Sequence, residues 1–203
     1  MYPIELAKTE ADRNALRTLF REIAQEQGWQ SGDWLECEQA GANYLGLKVD
    51  SQWVGGLQLV VPDLVGRLPY SAVWPDVQLE HPTASGHVTV LGLLPEYRGT
   101  PAFFWSLCIE LWRMCSKAGI EAVILEATPP MLARYRKLGW PLDEIGSLRM
   151  HWGEPCVLAQ MEFDRVAISM VKRAMRSPSY RTLVTQAVRS SRDIPCLVRP
   201  SLA

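Results

Sequence analysis

The sequence lacks the features of membrane, secreted and nucleic-acid-binding proteins. No apolar run approaches the roughly 18–20 residues that a membrane-crossing helix needs. The first residues also lack the basic head and apolar segment of a signal peptide. The 21 basic and 22 acidic side chains leave a net charge of −1, so no overall attraction draws the chain to nucleic acid or to a membrane surface. We therefore expect a cytoplasmic globular protein with no integral membrane segment and no nucleic-acid partner.

Cysteine and histidine show no pattern of a metal site or of a disulfide framework. The five cysteines are an odd number without a Cys-x-x-Cys pair, which favours reduced thiols, mostly in the core. Cys108 and Cys115 share a helix face but lie two turns apart, too far for a bridge. The three histidines form no ligand-spaced cluster, so no metal is predicted.

Tryptophan, in contrast, is abundant, with eight in 203 residues. These side chains could pack in the core and at interfaces. They could equally wall a large apolar cavity, in which a few polar groups orient a long apolar ligand. Composition alone leaves both interpretations open.

The hydrophobic pattern predicts a mixed α/β domain. Apolar residues spaced three and four apart predict a helix over 9–28, which Gly28 ends. A hairpin turn is predicted at Asp50–Ser51. Strands are predicted over 43–49, 53–61, 87–94, 121–126, 148–152 and 155–163, helices over 103–117 and 131–138, a loop-rich segment over 62–86 and a connector over 141–146. This order predicts a mostly antiparallel sheet with a parallel pair in its middle.

The end of the chain differs in composition from the rest. Residues 164–203 carry eight basic and two acidic side chains, and their apolar residues predict two short helices around Ser177-Pro178. We expect one main domain over 1–163 followed by a basic helical tail over 164–203. The tail is either a docked helix pair with solvated basic faces, a docking surface for an acidic partner, or a contact with membrane or nucleic acid.

The strand predicted over 87–94 leads through a short turn into a helix. Such a turn is a ready phosphate site, because the unpaired N–H groups of the first helical turn point at the ligand and the helix dipole favours negative charge. Pro101 lacks an N–H and removes one donor from this turn.

Two motifs, one at this turn and one about forty residues later, with a helix and a strand between them, resemble the Gcn5-related N-acetyltransferases, the GNAT superfamily. Residues Leu94-Pro-Glu-Tyr-Arg-Gly-Thr-Pro-Ala102 follow the family pattern V-x-P-x-Y/W-R-G-x-G-x-G/A, and Arg134-Tyr-Arg-Lys-Leu-Gly-Trp140 follows F/Y-Y-x-K/R-L-G-F. The resemblance implies a twisted, mostly antiparallel sheet with a central splayed parallel pair, flanked by helices. It also implies a donor site for acyl-CoA, or for the phosphopantetheine of acyl carrier protein, formed by Leu93, Leu94, Tyr97, Arg98, Gly99, Thr100 and Ala102. Tyr135 would protonate the leaving thiolate.

A second resemblance points to the acyl-homoserine-lactone synthases, the autoinducer branch of the superfamily. Arg17, Phe20, Trp29 and Glu36-Cys-Glu38 follow the family's opening motif. Gln58 stands where the family has an arginine, and residues 87–91 lack the family's E-x-S-R. The resemblance implies an acceptor site at Trp29, Glu36, Glu38 and Gln58.

These observations predict an acyltransferase that moves an acyl group from a thioester to a small-molecule amine. His87 and Glu126 are candidate bases, since an unperturbed histidine titrates near pH 6.5 and Glu126 ends a strand that faces the same cleft. Two alternatives remain open: a true acyl-homoserine-lactone synthase that uses S-adenosylmethionine, and a degenerate domain that binds acyl thioesters or a protein partner. The sequence leaves the oligomeric state open.

Overall fold

A computed structural model describes residues 4–29 and 39–190, with only the backbone of 186–190. The strands are β1 (Ile4–Leu6), β2 (Ala42–Val49), β3 (Gln52–Val60), β4 (Ser85–Leu93), β5 (Ala122–Ala127), β6 (Leu142–Glu144), β7 (Arg149–His151) and β8 (Glu154–Glu162). The helices are α1 (Glu10–Gln27), α2 (Pro101–Lys117), α3 (Pro129–Lys137), α4 (Phe163–Arg176) and α5 (Pro178–Ser190). Among these residues, no helix is long and apolar enough to cross a membrane.

The strands form one sheet in the order β1-β2-β3-β4-β5-β8-β6, with β7 paired to β8. Every pair is antiparallel except β4–β5, which confirms the predicted sheet. The parallel ladder runs only from Ser85↔Ala122 to Val88↔Leu125. Beyond it, β4 continues along β3 as far as Leu93, whereas β5 follows β8 as far as Ala127. The two strands therefore splay apart, as the GNAT resemblance implies.

Helix α1 covers one face of the sheet with the side chains that the sequence periodicity selects. Leu16, Phe20 and Ile23 are buried on it, and Gly28 ends the helix in the left-handed region with φ 70°. Because α1 lies close to the sheet, the strand position beneath it is a glycine. A Cβ atom at Gly56 would lie 2.6 Å from the Leu45 carbonyl oxygen and 3.3 Å from Leu16 Cδ2.

Helix α2 buries its apolar side against the other face, and the last two helices pack beside it. Tyr180 of α5 is buried and meets the Trp105 ring edge-on, with centroids 5.3 Å apart. Phe163 and Val166 of α4 belong to the same buried cluster as Trp105. The division of the chain at residue 163 remains a proposal.

Several element bounds differ from the sequence prediction. The 141–146 connector contains β6, which pairs with the edge of β8; only Leu142 in it is buried, so no alternation marks it. Strand β1 was also not predicted, because it is only three residues long. Helices α2 and α3 begin two residues early, at Pro101 and Pro129, because proline's fixed φ and missing N–H suit the first helical position.

Candidate active site

The gap between β4 and β5 holds a cavity of about 260 Å³, here called the inter-strand cavity. The splayed ends of the two strands form its sides, and α3 and the β7–β8 turn close it. Its lining is Gln27, Trp29, Val88, Thr89, Val90, Leu91, Leu125, Glu126, Ala127, Thr128, Met131, Tyr135, Trp140, Trp152, Glu154 and Cys156. The tryptophans of this lining, together with the buried Trp74 and Trp105, show that this residue type serves both cavity walls and core packing.

A second cavity of about 600 Å³, here called the side cavity, adjoins the first. Thr89, Glu126 and Trp152 line both cavities. The side cavity is otherwise walled by Gln39, Ala40, Val60, Asp63, Arg67, Leu68, Pro69, Ala72, Val73, His87 and His151. His87 and Thr89 are alternate residues of β4 and so project to the same face of the sheet.

A buried cluster of two histidines and one carboxylate stands at this junction. His87 Nε2 lies 2.8 Å from Glu126 Oε1, and their side chains are only 1% and 3% exposed. His151 Nε2 lies 4.0 Å from the same oxygen. Neither His87 nitrogen makes an aligned hydrogen bond to a described residue, and the same holds for Glu126 Oε2. The cluster thus holds buried polar atoms with capacity for a ligand.

His151, the third member of this cluster, is neutral at neutral pH. Burial lowers the pKa of His151 below 6.5, and His87 adds to this effect, whereas the Glu126 carboxylate opposes it. Unlike the other two members, His151 was missed by sequence reasoning, because β7 brings it from far along the chain. Within the described residues, no group of three His, Cys, Asp or Glu side chains is arranged to hold a metal ion.

Tyr135 of α3 lines the inter-strand cavity from an aromatic stack. Its ring lies 5.0 Å from that of Trp140 and 6.4 Å from that of Phe104, in both cases nearly parallel. Burial, with a smaller contribution from the neighbouring Cys108, raises the pKa of Tyr135 to about 12, against the opposing charge of Arg134. Such a phenol keeps its proton at neutral pH.

Gln58, predicted to bind substrate, lies behind both cavities. It is buried at 3% exposure. Its amide nitrogen donates to the Tyr44 hydroxyl over 2.9 Å, and its amide oxygen accepts from Thr89 Oγ1 over 2.5 Å. The side chain therefore fixes Thr89 at the junction and lines neither cavity. Its role in binding substrate stays a prediction.

The predicted donor turn follows β4. The guanidinium of Arg98 donates two hydrogen bonds to Glu26 of α1, at 2.5 and 3.0 Å, while its Nε donates to the Leu93 carbonyl over 2.9 Å. Its side chain thus ties α1 to the turn. The Leu94 amide donates to the Val54 carbonyl over 2.9 Å, so that N–H is not available to a ligand.

Other groups of the turn remain open to a ligand. The backbone amides of Tyr97, Arg98 and Thr100 donate hydrogen bonds to carbonyl oxygens of the turn. The amides of Gly99 and Ala102 have no acceptor among the described residues, and Gly99 is exposed. The Tyr97 ring packs 5.8 Å from Phe103. Phosphate binding at this turn remains a prediction.

An aromatic edge closes the inter-strand cavity. Trp29 donates from Nε1 to Glu154 over 3.1 Å, and its ring lies 5.6 Å from that of Trp152. Trp152 has a φ of 55°, rare for a bulky residue, and its ring contacts His151 at 4.3 Å. Glu36 and Glu38, the other predicted acceptor residues, lie outside the described residues.

No protein-family model and no curated protein matches the sequence. Among solved structures, that of BjaI, a CoA-dependent acyl-homoserine lactone synthase with SAM and isopentyl-CoA, matches with a TM-score of 0.66 at 14% identity, over 87% of this chain and 92% of that one. FeeM, an N-acyl amino acid synthase from uncultured soil microbes, matches with a TM-score of 0.63 at 16% identity, over 80% and 92%. The acyl-homoserine lactone synthase LasI gives 0.62 at 15% identity, over 80% and 89%.

At these identities the likeness concerns the fold, and it agrees with the splayed parallel pair and the flanking helices described above. The chain has the GNAT fold, and acyl-homoserine-lactone synthases are among its structural neighbours.

Proposed function

We propose that the protein is an N-acyltransferase that moves an acyl group from an acyl thioester to the amine of a small molecule. The observation that carries the proposal is the meeting of two cavities at Thr89, Glu126 and Trp152. A reaction between two substrates needs both held in contact at one point. A donor in the inter-strand cavity and an amine in the side cavity would meet beside the Glu126 carboxylate.

The splay of β4 and β5 supports the donor's place. Past Val88 the β4 peptide groups that face the gap have no partner in β5, so they are open to a thioester arm and to the oxyanion that forms during attack. The free amides of Gly99 and Ala102 would take a phosphate of coenzyme A or of phosphopantetheine.

A small inner cavity of about 40 Å³ supports a place for the acyl chain. It shares Val88, Leu91, Leu125 and Trp140 with the inter-strand cavity. Most of its remaining wall is apolar, formed by Ile109, Leu111 and other side chains of α2, the sheet and α4. Its small size favours a short acyl group.

The buried cluster supplies the proton transfers that this reaction needs. Glu126, with His87 beside it, would accept a proton from the ammonium group, and the amine nitrogen would then attack the carbonyl carbon. The C–N bond forms, the nitrogen loses its second proton, and the C–S bond breaks as Tyr135 gives its proton to the departing thiolate. The second nitrogen proton would restore the Tyr135 phenol, and the proton held by Glu126 would leave to solvent. The products are an amide, a free thiol and one proton.

The test is release of free thiol from a panel of acyl-CoA and acyl-carrier-protein donors with a panel of amines. An enzyme-only blank is needed, because the chain itself has five cysteines. We expect amine-dependent thiol release that falls by about 10²–10⁴ in Glu126→Gln and is unchanged in the exposed-site control Glu121→Gln. Absence of release and of donor binding across the panel would rule the proposal out.

The same panel separates the two alternatives. A lactone product with S-adenosylmethionine, identified by mass spectrometry, would make the protein an acyl-homoserine-lactone synthase. Thermal stabilisation by coenzyme A without any turnover would identify a binding domain instead.

A further inference from the structure

The side cavity has apolar walls and a polar end. Together they indicate what kind of amine would enter it. The apolar side chains of Val60, Leu68, Pro69, Ala72 and Val73 form one part of its lining. His87, Glu126 and His151 gather at the other part, against the sheet. A ligand that fits this division has an apolar body and one polar group.

The charge of that polar group follows from the cluster. Glu126 Oε2 and His87 Nδ1 are buried without a hydrogen-bond partner among the described residues, and leaving such atoms unpaired is costly. A primary ammonium group carries three donors and one positive charge. It would supply donors to both carboxylate oxygens, and the buried carboxylate would hold it.

The Gln39 amide also lines the side cavity, with its Oε1 buried and without a hydrogen-bond partner among the described residues, so it could accept one further N–H or O–H. The rest of the described lining offers little to a second ionic group. Asp63 and Arg67, the other charged residues of this cavity, pair with each other through Nε and Oδ2 at 2.6 Å. The Arg67 side chain is 81% exposed, so it lies at the rim. S-adenosylmethionine carries a sulfonium, a carboxylate and a polar nucleoside, for which these walls provide few partners.

We infer that the acceptor is a primary amine on an apolar body, bound in the side cavity with its nitrogen at Glu126. This inference rests on the proposed function for the acyl transfer, but binding of the amine can be measured without it. Arg67 at the rim would add contacts to an amine that also bears a carboxylate, so free amines and amino acids are separate arms of the test.

The first experiment compares acceptors with one accepted acyl donor. We expect phenethylamine and isopentylamine to have KM values at least about tenfold below that of ethanolamine, since apolar pockets discriminate by roughly 10–200-fold. Phenylalanine against phenethylamine reports the effect of a carboxylate at the rim. If ethanolamine or S-adenosylmethionine is preferred, the inference is wrong while acyl transfer itself still stands.

The second experiment measures phenethylamine binding by calorimetry on the full chain without donor. Val73→Asp places a charge on the apolar wall and should weaken binding at least about tenfold. Val65→Asp is the matched control, because Val65 is on the same loop, 71% exposed, and outside the cavity. Melting curves check that both variants fold.

Two further outcomes decide the case. Phenethyl alcohol, the neutral isostere, should bind at least about tenfold more weakly than the amine, because it lacks the charge that Glu126 pairs with. Equal binding of the two, or no binding of either, overturns the inference. Binding that Val73→Asp abolishes, without any acyl transfer, would uphold the ligand class and remove the proposed reaction.

Discussion

Tyr135 can act only as an acid at neutral pH, because burial raises the pKa of its phenol to about 12. A proton donor to a thiolate must hold its proton until the C–S bond breaks, and this residue does. In the proposed reaction, the opposite role, that of a base, would belong to the Glu126 carboxylate, which lines the same cavity. The different environments of the two groups would then separate the two proton-transfer roles.

Tyr135→Phe should lower kcat by about 10²-fold or more, the usual range for a general acid, with little change in the KM of the donor. The ring would keep its stacking on Trp140 and Phe104, so the melting temperature should stay the same. Steady-state thiol release measures the effect, and Tyr180→Phe, which changes a buried ring outside both cavities, is the control. An unchanged kcat would mean that water, and not Tyr135, protonates the thiolate.

His151 should set an acid limit on activity. Its pKa is lowered below 6.5 by burial, so the ring is neutral at pH 7 and gains its charge only as the pH falls through the lowered value. A charged ring 4.0 Å from Glu126 Oε1 would compete with the ammonium group for that carboxylate. We expect the KM of the amine to rise at acid pH in the wild type and to rise less in His151→Asn.

The measurement is a pH profile of kcat/KM for the amine, with the KM of the donor followed in parallel. The two proteins differ only at residue 151, so the contribution of His151 is the difference between their profiles. Superimposable profiles would show that His151 only fills space.

The sequence could predict those helices and strands whose type depends on the local pattern of apolar residues. The periodicity of α1 and the two short apolar runs of β2 and β3 on either side of the Asp50–Ser51 turn indicate both type and approximate bounds. The approach of His87 and His151 to Glu126 depends instead on how β7 pairs with β8 and on the parallel register of β4 with β5. No local pattern encodes such long-range register, so the site was predicted in pieces and its third member was missed.

Arg98, in the turn between β4 and α2, could have either of two roles. It could bind the donor, or it could link α1 to the turn. Its guanidinium is paired with both oxygens of Glu26. If it ties the elements, Arg98→Gln and Glu26→Gln should each raise the KM of the donor slightly, and the double variant should add little. The changes in KM should be small, as expected for an exposed ion pair that solvent screens.

A direct phosphate contact predicts another pattern. Glu26→Gln would release Arg98 and lower the KM of the donor, whereas Arg98→Gln would raise it strongly and weaken its dependence on salt. Donor KM values for the four proteins at two salt concentrations distinguish the two roles.

One buried carboxylate, that of Glu110, lowers the stability of the folded protein. Glu110 of α2 is fully buried, and no described residue donates a hydrogen bond to either carboxylate oxygen. Arg113 lies 3.9 Å away. Burial raises the pKa of Glu110, and the charges of Arg113 and Lys117 only partly oppose this. Neither cavity of the proposed site includes this residue.

The raised pKa makes stability depend on pH in a defined direction. Between the unfolded value near 4.5 and the raised folded value, the folded state holds more protons than the unfolded state, so stability falls as the pH rises through that window. Glu110→Gln removes the charge. It should increase the free energy of unfolding at pH 8 by about 1–3 kcal/mol, because a buried charge without hydrogen bonds costs more than a neutral amide at the same place.

Urea unfolding of wild type and Glu110→Gln at pH 8 and near pH 4 measures this difference, with the exposed Glu121→Gln as the control for loss of one negative charge. Near pH 4 the Glu110 carboxyl is protonated in both states, so the gain should disappear there while it persists at pH 8. A gain of equal size at both pH values would trace the effect to packing of the amide, and a loss of stability at pH 8 would mean that the ion pair with Arg113 outweighs the burial of the charge.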